Sequence, residues 1–340
     1  MTGAGIILAI VAAVGLEYYA DPVRGNDNHD GRTAACAFRT LRRATAALKA
    51  GDALNLAAGA VFRESLILPD GGTAAAPIII RGNGAVITGL EPIPDGEWID
   101  QGRGVFHHPN SACWGALQPR VIDCRGRDVT VASGRRVTRD PGTLNPGEAL
   151  WNTKGIWYRV EDGRTPTGLS GTFRESGVKA TGQSHVVVEG LVAERFANDG
   201  FNIHGSSHDL VFRRIEARGN GDDGFSVHED SETQVRGGWF HHNADGIADV
   251  HASQTSYSEV LVESNELFGV GFYGGLRTMR DSIVRGNGGK EVIVVRDADH
   301  GQRHSAMYTP RVYFRDVQVE GGSSAIEVGE GAELTITEEE

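Results

Sequence analysis

Four asparagines, Asn220, Asn243, Asn265 and Asn287, recur at separations of 23, 22 and 22 residues. A second row keeps nearly the same beat: Asn198-Asp199-Gly200-Phe201, Asp222-Asp223-Gly224-Phe225 and Ala244-Asp245-Gly246-Ile247. Self-similarity at a fixed period of this length is the signature of a solenoid. Each unit reads as a short apolar strand, a polar turn with Asn, Asp and Gly, and another short strand. Residues 185–192 open one unit and 208–215 the next. Units this short leave no room for a crossover helix. They suit the coils of a parallel β-helix, each coil pairing with the one below at about 4.8 Å. Stacked asparagines fit that arrangement, because one amide can donate to the next and satisfy the turn backbone.

Composition narrows the function classes. The chain has 340 residues, 39% of them hydrophobic, enough for a sizeable core. No stretch approaches the length of a membrane-spanning apolar helix, so no membrane span is expected. The formal net charge of −12 speaks against a nucleic-acid partner, whose phosphates need a basic patch. It admits an anionic sugar polymer where local arginines or a bound cation offset it. The apolar run over residues 6–14 ends in Ala13-Val14-Gly15, which resembles a signal-peptidase site. Residues 1–15 are therefore expected to be a signal peptide, and the product secreted or periplasmic. Three cysteines do not make a disulfide scaffold. Cys113 and Cys124 are candidates for one pair, and Cys36 is expected to pack as a small apolar residue.

In chain order, a short strand at Tyr18-Tyr19 leads into a polar loop, then a stretch from Phe38 to Lys49 with apolar spacing on one helical face. Solenoid ends expose backbone and core, so this helix is expected to be the N-terminal cap. These residues carry a resemblance. Tyr18-Tyr19-Ala20-Asp21-Pro22, Gly25-Asn26-Asp27, Asp30-Gly31, Phe38-Arg39-Thr40-Leu41, Gly51-Asp52 and Val61-Phe62-Arg63-Glu64 are similar to the N-terminal region of secreted right-handed parallel β-helix proteins of the pectate-lyase-like superfamily. The resemblance implies an all-β, right-handed parallel β-helix with about 22 residues per coil and a polysaccharide-related setting. It does not fix the reaction, because such proteins include lyases, glycosidases, epimerases and proteins without known activity.

One domain is expected over residues 16–340. Residues 16–50 form the cap, 51–90 the first coils, 91–171 a β-rich insertion and 172–340 the main coils, with a projecting loop at 297–310. The insertion holds Trp98, Trp114, Trp151, Trp157 and Tyr158. These aromatics either stack on sugar rings or form the insertion's own core.

Strand alternation turns Asn202 and His204, and likewise Ser226 and His228, away from the core side of their strands. Counting one coil at a time gives a titratable column of Lys179, His204, His228, His251 and Tyr273. His228 is its centre, and Asp223 lies in the turn before it. These six residues are the catalytic candidates. Asn202, Ser226, Glu229 and Arg296 are candidates for substrate binding. Asp199, Asp222 and Asp245 are candidates for calcium, which prefers clustered carboxylate and carbonyl oxygens. The Asn198-Asp199-Gly200 and Asp222-Asp223-Gly224 rows are also similar to the acidic motifs of polygalacturonases. Three readings stand. A polysaccharide lyase would cleave a uronic-acid glycan by β-elimination, using His, Lys and Tyr. A glycoside hydrolase would use paired Asp residues. A glycan-binding surface solenoid would use neither. The partner is expected to be a polysaccharide and the protein a monomer.

Overall fold

The computed structural model describes residues 15–109, 119–134, 136–296 and 308–338. The apolar run at 6–14, Cys113, Trp114 and most of the 297–310 loop lie outside the described residues. The coils are those of a parallel β-helix. One sheet of eight short strands includes Val178–Thr181, Phe201–His204, Asp223–Val227, Asp245–Val250, Val270–Tyr273 and Val292–Val294, all parallel. A second sheet of eleven strands stacks Ile78–Thr88, Ser184–Glu194, His208–Arg218, Glu232–His241, Gln254–Glu263, Leu276–Arg285 and Arg311–Val319, also parallel.

The long strands bend at one place. Gly190, Arg214, Gly237, Glu259, Asp281 and Asp316 occupy successive coils at the same register and all have positive φ. The bend restarts the alternation. In the Ser184–Glu194 strand, Val186 and Val188 point in before the corner, and Leu191 and Ala193 point in after it. Each coil therefore has three faces around one core, in which Phe201, Phe212, Phe225, Phe240, Phe272 and Phe314 are fully buried.

The asparagine ladder forms at the turn between the long and short sheets. Asn220 Nδ2 donates to Asn243 Oδ1 at 2.8 Å, Asn243 Nδ2 to Asn265 Oδ1 at 3.2 Å, and Asn265 Nδ2 to Asn287 Oδ1 at 2.8 Å. The same side-chain oxygens accept the backbone N–H of Asn220, Asn243 and Asn265. The first three are buried and Asn287 is half-buried.

Two expectations need correction. The cap helix is one turn, Leu41–Thr45, rather than the whole of 38–49. Asp27 accepts from the N–H groups of Arg39 and Thr40, and Thr40 caps Arg43, so the helix starts only after these residues. Phe38 instead bridges to Ala20 and is buried in the main core. Cys36 does not pack as an apolar residue; it is exposed in a short turn. Cys124 is also exposed and free.

The insertion folds on itself. Strands Val105–His108, Ala149–Asn152 and Gly155–Arg159 pair antiparallel, and Leu90–Pro92, Ser170–Thr172 and Val121–Ile122 form a small second sheet. Trp98, Trp151 and Trp157 are buried in its own clusters, so among the described aromatics the core reading holds for these three. Arg120 of the insertion approaches Glu266 at 3.7 Å, which brings the insertion beside the coil turns that lead to the candidate site.

Candidate active site

The outer face of the short-strand sheet carries the cluster. Asp223 and Asp245 are register partners one coil apart, and Asp199 sits one coil before them, its Oδ1 accepting from the Asp223 N–H at 3.2 Å. Asp245 repeats the arrangement one coil on, accepting from the Phe268 N–H at 3.2 Å. Asp199 and Asp245 thus each cap the next coil's turn. Asp222 is the exposed neighbour. Carboxylate oxygens of Asp199, Asp222 and Asp223 all lie within 4.8 Å of one another.

Crowding dictates the electrostatics. Burial pushes the Asp199 carboxyl well above its ordinary range, and the neighbouring Asp222 adds to the shift. Burial does the same to Asp223, reinforced by Asp199, Asp222 and Asp245. Asp222 is raised by loss of hydration. Asp245 is raised to about 7, chiefly by burial, against the opposing hydrogen bond from Phe268. Like charges packed this closely hold protons or recruit a cation.

Asn202 lies between the acids and the histidines. Its Nδ2 donates to Asp199 Oδ2 and to Ser176 Oγ at 3.3 Å. Its Oδ1 is buried and has no hydrogen-bond partner among the described residues. Asn198 also donates to Asp199 Oδ2, at 2.9 Å. At the far end of the strands, the rings of His204 and His228 stack at 4.0 Å with 13° between planes. His228 Nε2 and Ser226 Oγ share a 2.8 Å hydrogen bond. Glu229 faces His204 Nδ1 at 3.1 Å and accepts from the Gly205 N–H. His204, His228 and Glu229 also bring ligand atoms within 4.8 Å of one another.

One cavity of about 270 Å³ joins these groups. Asp199, Asp222, Asp223, Asp245, Asn202, Ser226, His204, His228 and Tyr273 all line it. The structure corrects the rest of the proposed column. Lys179 pairs in register with Asn202, not with His204, and approaches Glu175 at 3.7 Å outside the cavity. Val250, rather than His251, is the register partner of Tyr273. His251 lies one residue later, at φ 59°, and its Nδ1 accepts from the Glu229 N–H at 3.1 Å. Its ring is 6.1 Å from that of His228. Tyr273 is not an open outer residue; it is buried in an apolar cluster with Ala248, Val250 and Val295, with Phe268 packed against it. Neither Arg296 nor Glu229 lines the cavity.

Sequence reasoning missed Phe268, Ala248 and Val250, which make one side of the cavity apolar. Phe268 was legible in principle, because it stands one coil after Asp245 in the acidic row.

Residues 176–340 match the family described as "Right handed beta helix region". The solved structure titled as the complex of XylC with xylose superposes with a TM-score of 0.58 at 12% identity, covering 90% of this chain and 70% of that one. The pectate lyase Pel9A superposes with a TM-score of 0.51 at 14% identity, covering 96% of this chain and 77% of that one. No curated protein matches by sequence. The fold is a right-handed parallel β-helix.

Proposed function

We propose that this chain is a carbohydrate-active β-helix that cleaves a uronic-acid-containing polysaccharide by β-elimination at the Asp/His face. The observation that carries the reading is the convergence of Asp199, Asp222 and Asp223 with the orphaned Oδ1 of Asn202, beside the His204–His228 stack. Among the described residues, no Lys or Arg lines this cavity. A uronate carboxylate entering it would face Asp199, Asp222, Asp223 and Asp245 with no lysine or arginine to offset them. The donor set is all oxygen, partly buried and short of one partner, which fits a calcium ion. Held there, calcium would neutralise the substrate carboxylate and so acidify the adjacent C5–H. His228 is the base: its Nε2 is oriented by Ser226 and its ring is supported by His204. The C5–H electrons form the C4–C5 double bond as the C4–O bond breaks. Asp245, with its pKa near 7, retains a proton that the leaving oxygen can take. The two superposing structures, a pectate lyase and a xylose complex, support the sugar setting.

A panel of polyuronates, with and without calcium, tests this by ultraviolet detection of the unsaturated product. Calcium-dependent product that disappears in Asp222→Asn and in His228→Ala is the expected result. The specific observation for a second reading is the Asp223–Asp245 pair, one coil apart with both carboxyls raised. One coil is close to the roughly 5 Å separation of retaining glycosidases. New reducing ends without unsaturation, independent of calcium, would replace the lyase with that hydrolase. Glycan binding without any cleavage would replace both with a binding solenoid.

A further inference from the structure

A different face of the solenoid carries an arginine line. Outward positions Arg213, Arg236, Ser258, Arg280 and Arg315 are register partners on five successive coils of the long sheet. Four arginines thus stand in one row parallel to the helix axis, at the coil repeat of about 4.8 Å or its multiple. The neighbouring outward row is Gln234, Ser256, Thr278, Tyr313 and Thr335. Together they border a shallow cavity of about 470 Å³. Tyr313 is 45% exposed, which leaves ring surface available.

This row runs against the overall charge of −12. Its ion pairs are weak restraints. Arg236 meets Glu259 at 3.2 Å and Arg280 meets Asp281, and both acids sit at the exposed corner rather than in the groove. Exposed pairs of this kind contribute little, so an incoming anion can take over the guanidinium. Arg213 has no ion pair among the described residues. The planar guanidinium fork matches a carboxylate or sulfate with two parallel hydrogen bonds. A tyrosine face stacks on a pyranose ring, and the adjacent hydroxyls and amide suit sugar hydroxyls.

We propose that this row is a second glycan site, separate from the Asp/His face, which binds a linear anionic polysaccharide running along the helix axis. Repeated guanidinium–anion contacts at coil spacing read a repeating polymer, and their sum gives affinity through multivalency. The proposal does not depend on which reaction the Asp/His face performs.

The test is calorimetric titration of the full chain with polygalacturonate, neutral arabinoxylan and a single-stranded oligonucleotide. Polygalacturonate is expected to bind, with affinity falling as salt rises. Arg213→Glu/Arg236→Glu/Arg280→Glu should weaken it by at least an order of magnitude. The milder Arg213→Gln/Arg236→Gln variant, with an unchanged melting temperature, separates lost contacts from lost folding. Binding should persist in the Asp222→Asn/His228→Ala background, which excludes the other face as its source. A charge-matched control, Arg24→Glu/Arg32→Glu/Arg164→Glu, should keep the affinity. No binding to polygalacturonate, an equal loss in the control, undiminished binding in both row variants, or equal affinity for arabinoxylan or the oligonucleotide would each overturn the proposal.

Discussion

The Arg277 guanidinium and the Asp249 carboxylate meet at 3.0 Å inside the coils, neither with any exposed side-chain surface. Tyr257 donates to the same carboxylate at 2.9 Å, and Arg277 also donates to Ser253 Oγ at 2.6 Å. Ser253 follows the bend that holds His251, so this interior pair fastens the turn beside the histidines. Burial raises the Asp249 carboxyl even with the guanidinium opposing it.

Removing one partner strands the other charge. Arg277→Met is expected to destabilise the protein by about 3–5 kcal/mol in chemical denaturation. Asp249→Leu/Arg277→Met should recover most of that loss, because the desolvation cost disappears with the pair. A single variant as stable as the wild type would show that the pair is not anchoring the turn.

Asn243 is the ladder's fully buried rung, bonded both above and below. Asn243→Ala leaves the backbone N–H of Asn220 without its acceptor and should cost about 1–3 kcal/mol. Asn287→Ala, at a half-buried rung, should cost less. Equal melting temperatures for Asn243→Ala and wild type would argue against the ladder as a stabilising device.

His228→Ala is expected to abolish most turnover while the thermal midpoint stays near the wild-type value. The ring lies on the outer face, where it meets Ser226, His204 and His251. Turnover and melting must be measured on one preparation. Unfolding, or full retained activity, would reduce the stack to a structural ornament of the sheet.

Asp245 gives stability a pH dependence of defined sign. Its carboxyl has a folded-state pKa of about 7 against an ordinary 3.8. Between these values the unfolded chain has released the proton and the native state still holds it. The native state is therefore penalised progressively as pH rises through that window, and the penalty is complete above about 7. Asp245→Asn should flatten this part of the stability profile, read by melting across pH 4–8 (about four units). An unchanged slope would place the effect on another acid.

Much of this fold could be read from the sequence, because the asparagine and Asp-Gly rows obey a period that only stacked coils explain. The site was less legible. A periodic count assumes equal coils, but Phe201 pairs with Phe225 and Phe225 with Ile247, which are unequal steps. That inequality moved His251 out of the column, whereas Lys179 was counted 25 residues before His204 although the coil step there is 23 and Thr181 is the register partner. Asp249 and Arg277 illustrate the opposite failure. Alternation from Ile247 and Met279 already turns both inward, yet two charged residues in a core are hard to accept before the partner is visible. The left-handed corner was hidden too, because Arg214, Glu259, Asp281 and Asp316 are not residues that announce a positive φ. Gly237 occupies the same corner, where an added Cβ would meet only Arg214, at ordinary contact distances of 3.6 Å and more. Gly237→Ala should therefore cost only the backbone penalty, about 1–2 kcal/mol.

The coils also differ in where they tolerate extra chain. Within the long sheet, both halves of each strand advance together from coil to coil, on either side of the corner. The step from the short sheet to the long one does not: it runs from Val270 to Arg277 in one coil and from Val292 to Val312 in the next. Growth by insertion thus falls at the edges of the short sheet: beyond the histidine end of its strands and, with residues 91–171, ahead of Val178 at the opposite end. A lineage carrying this scaffold can lengthen or trim those edges, and so change which polymer fits, while the stacked interior is inherited untouched.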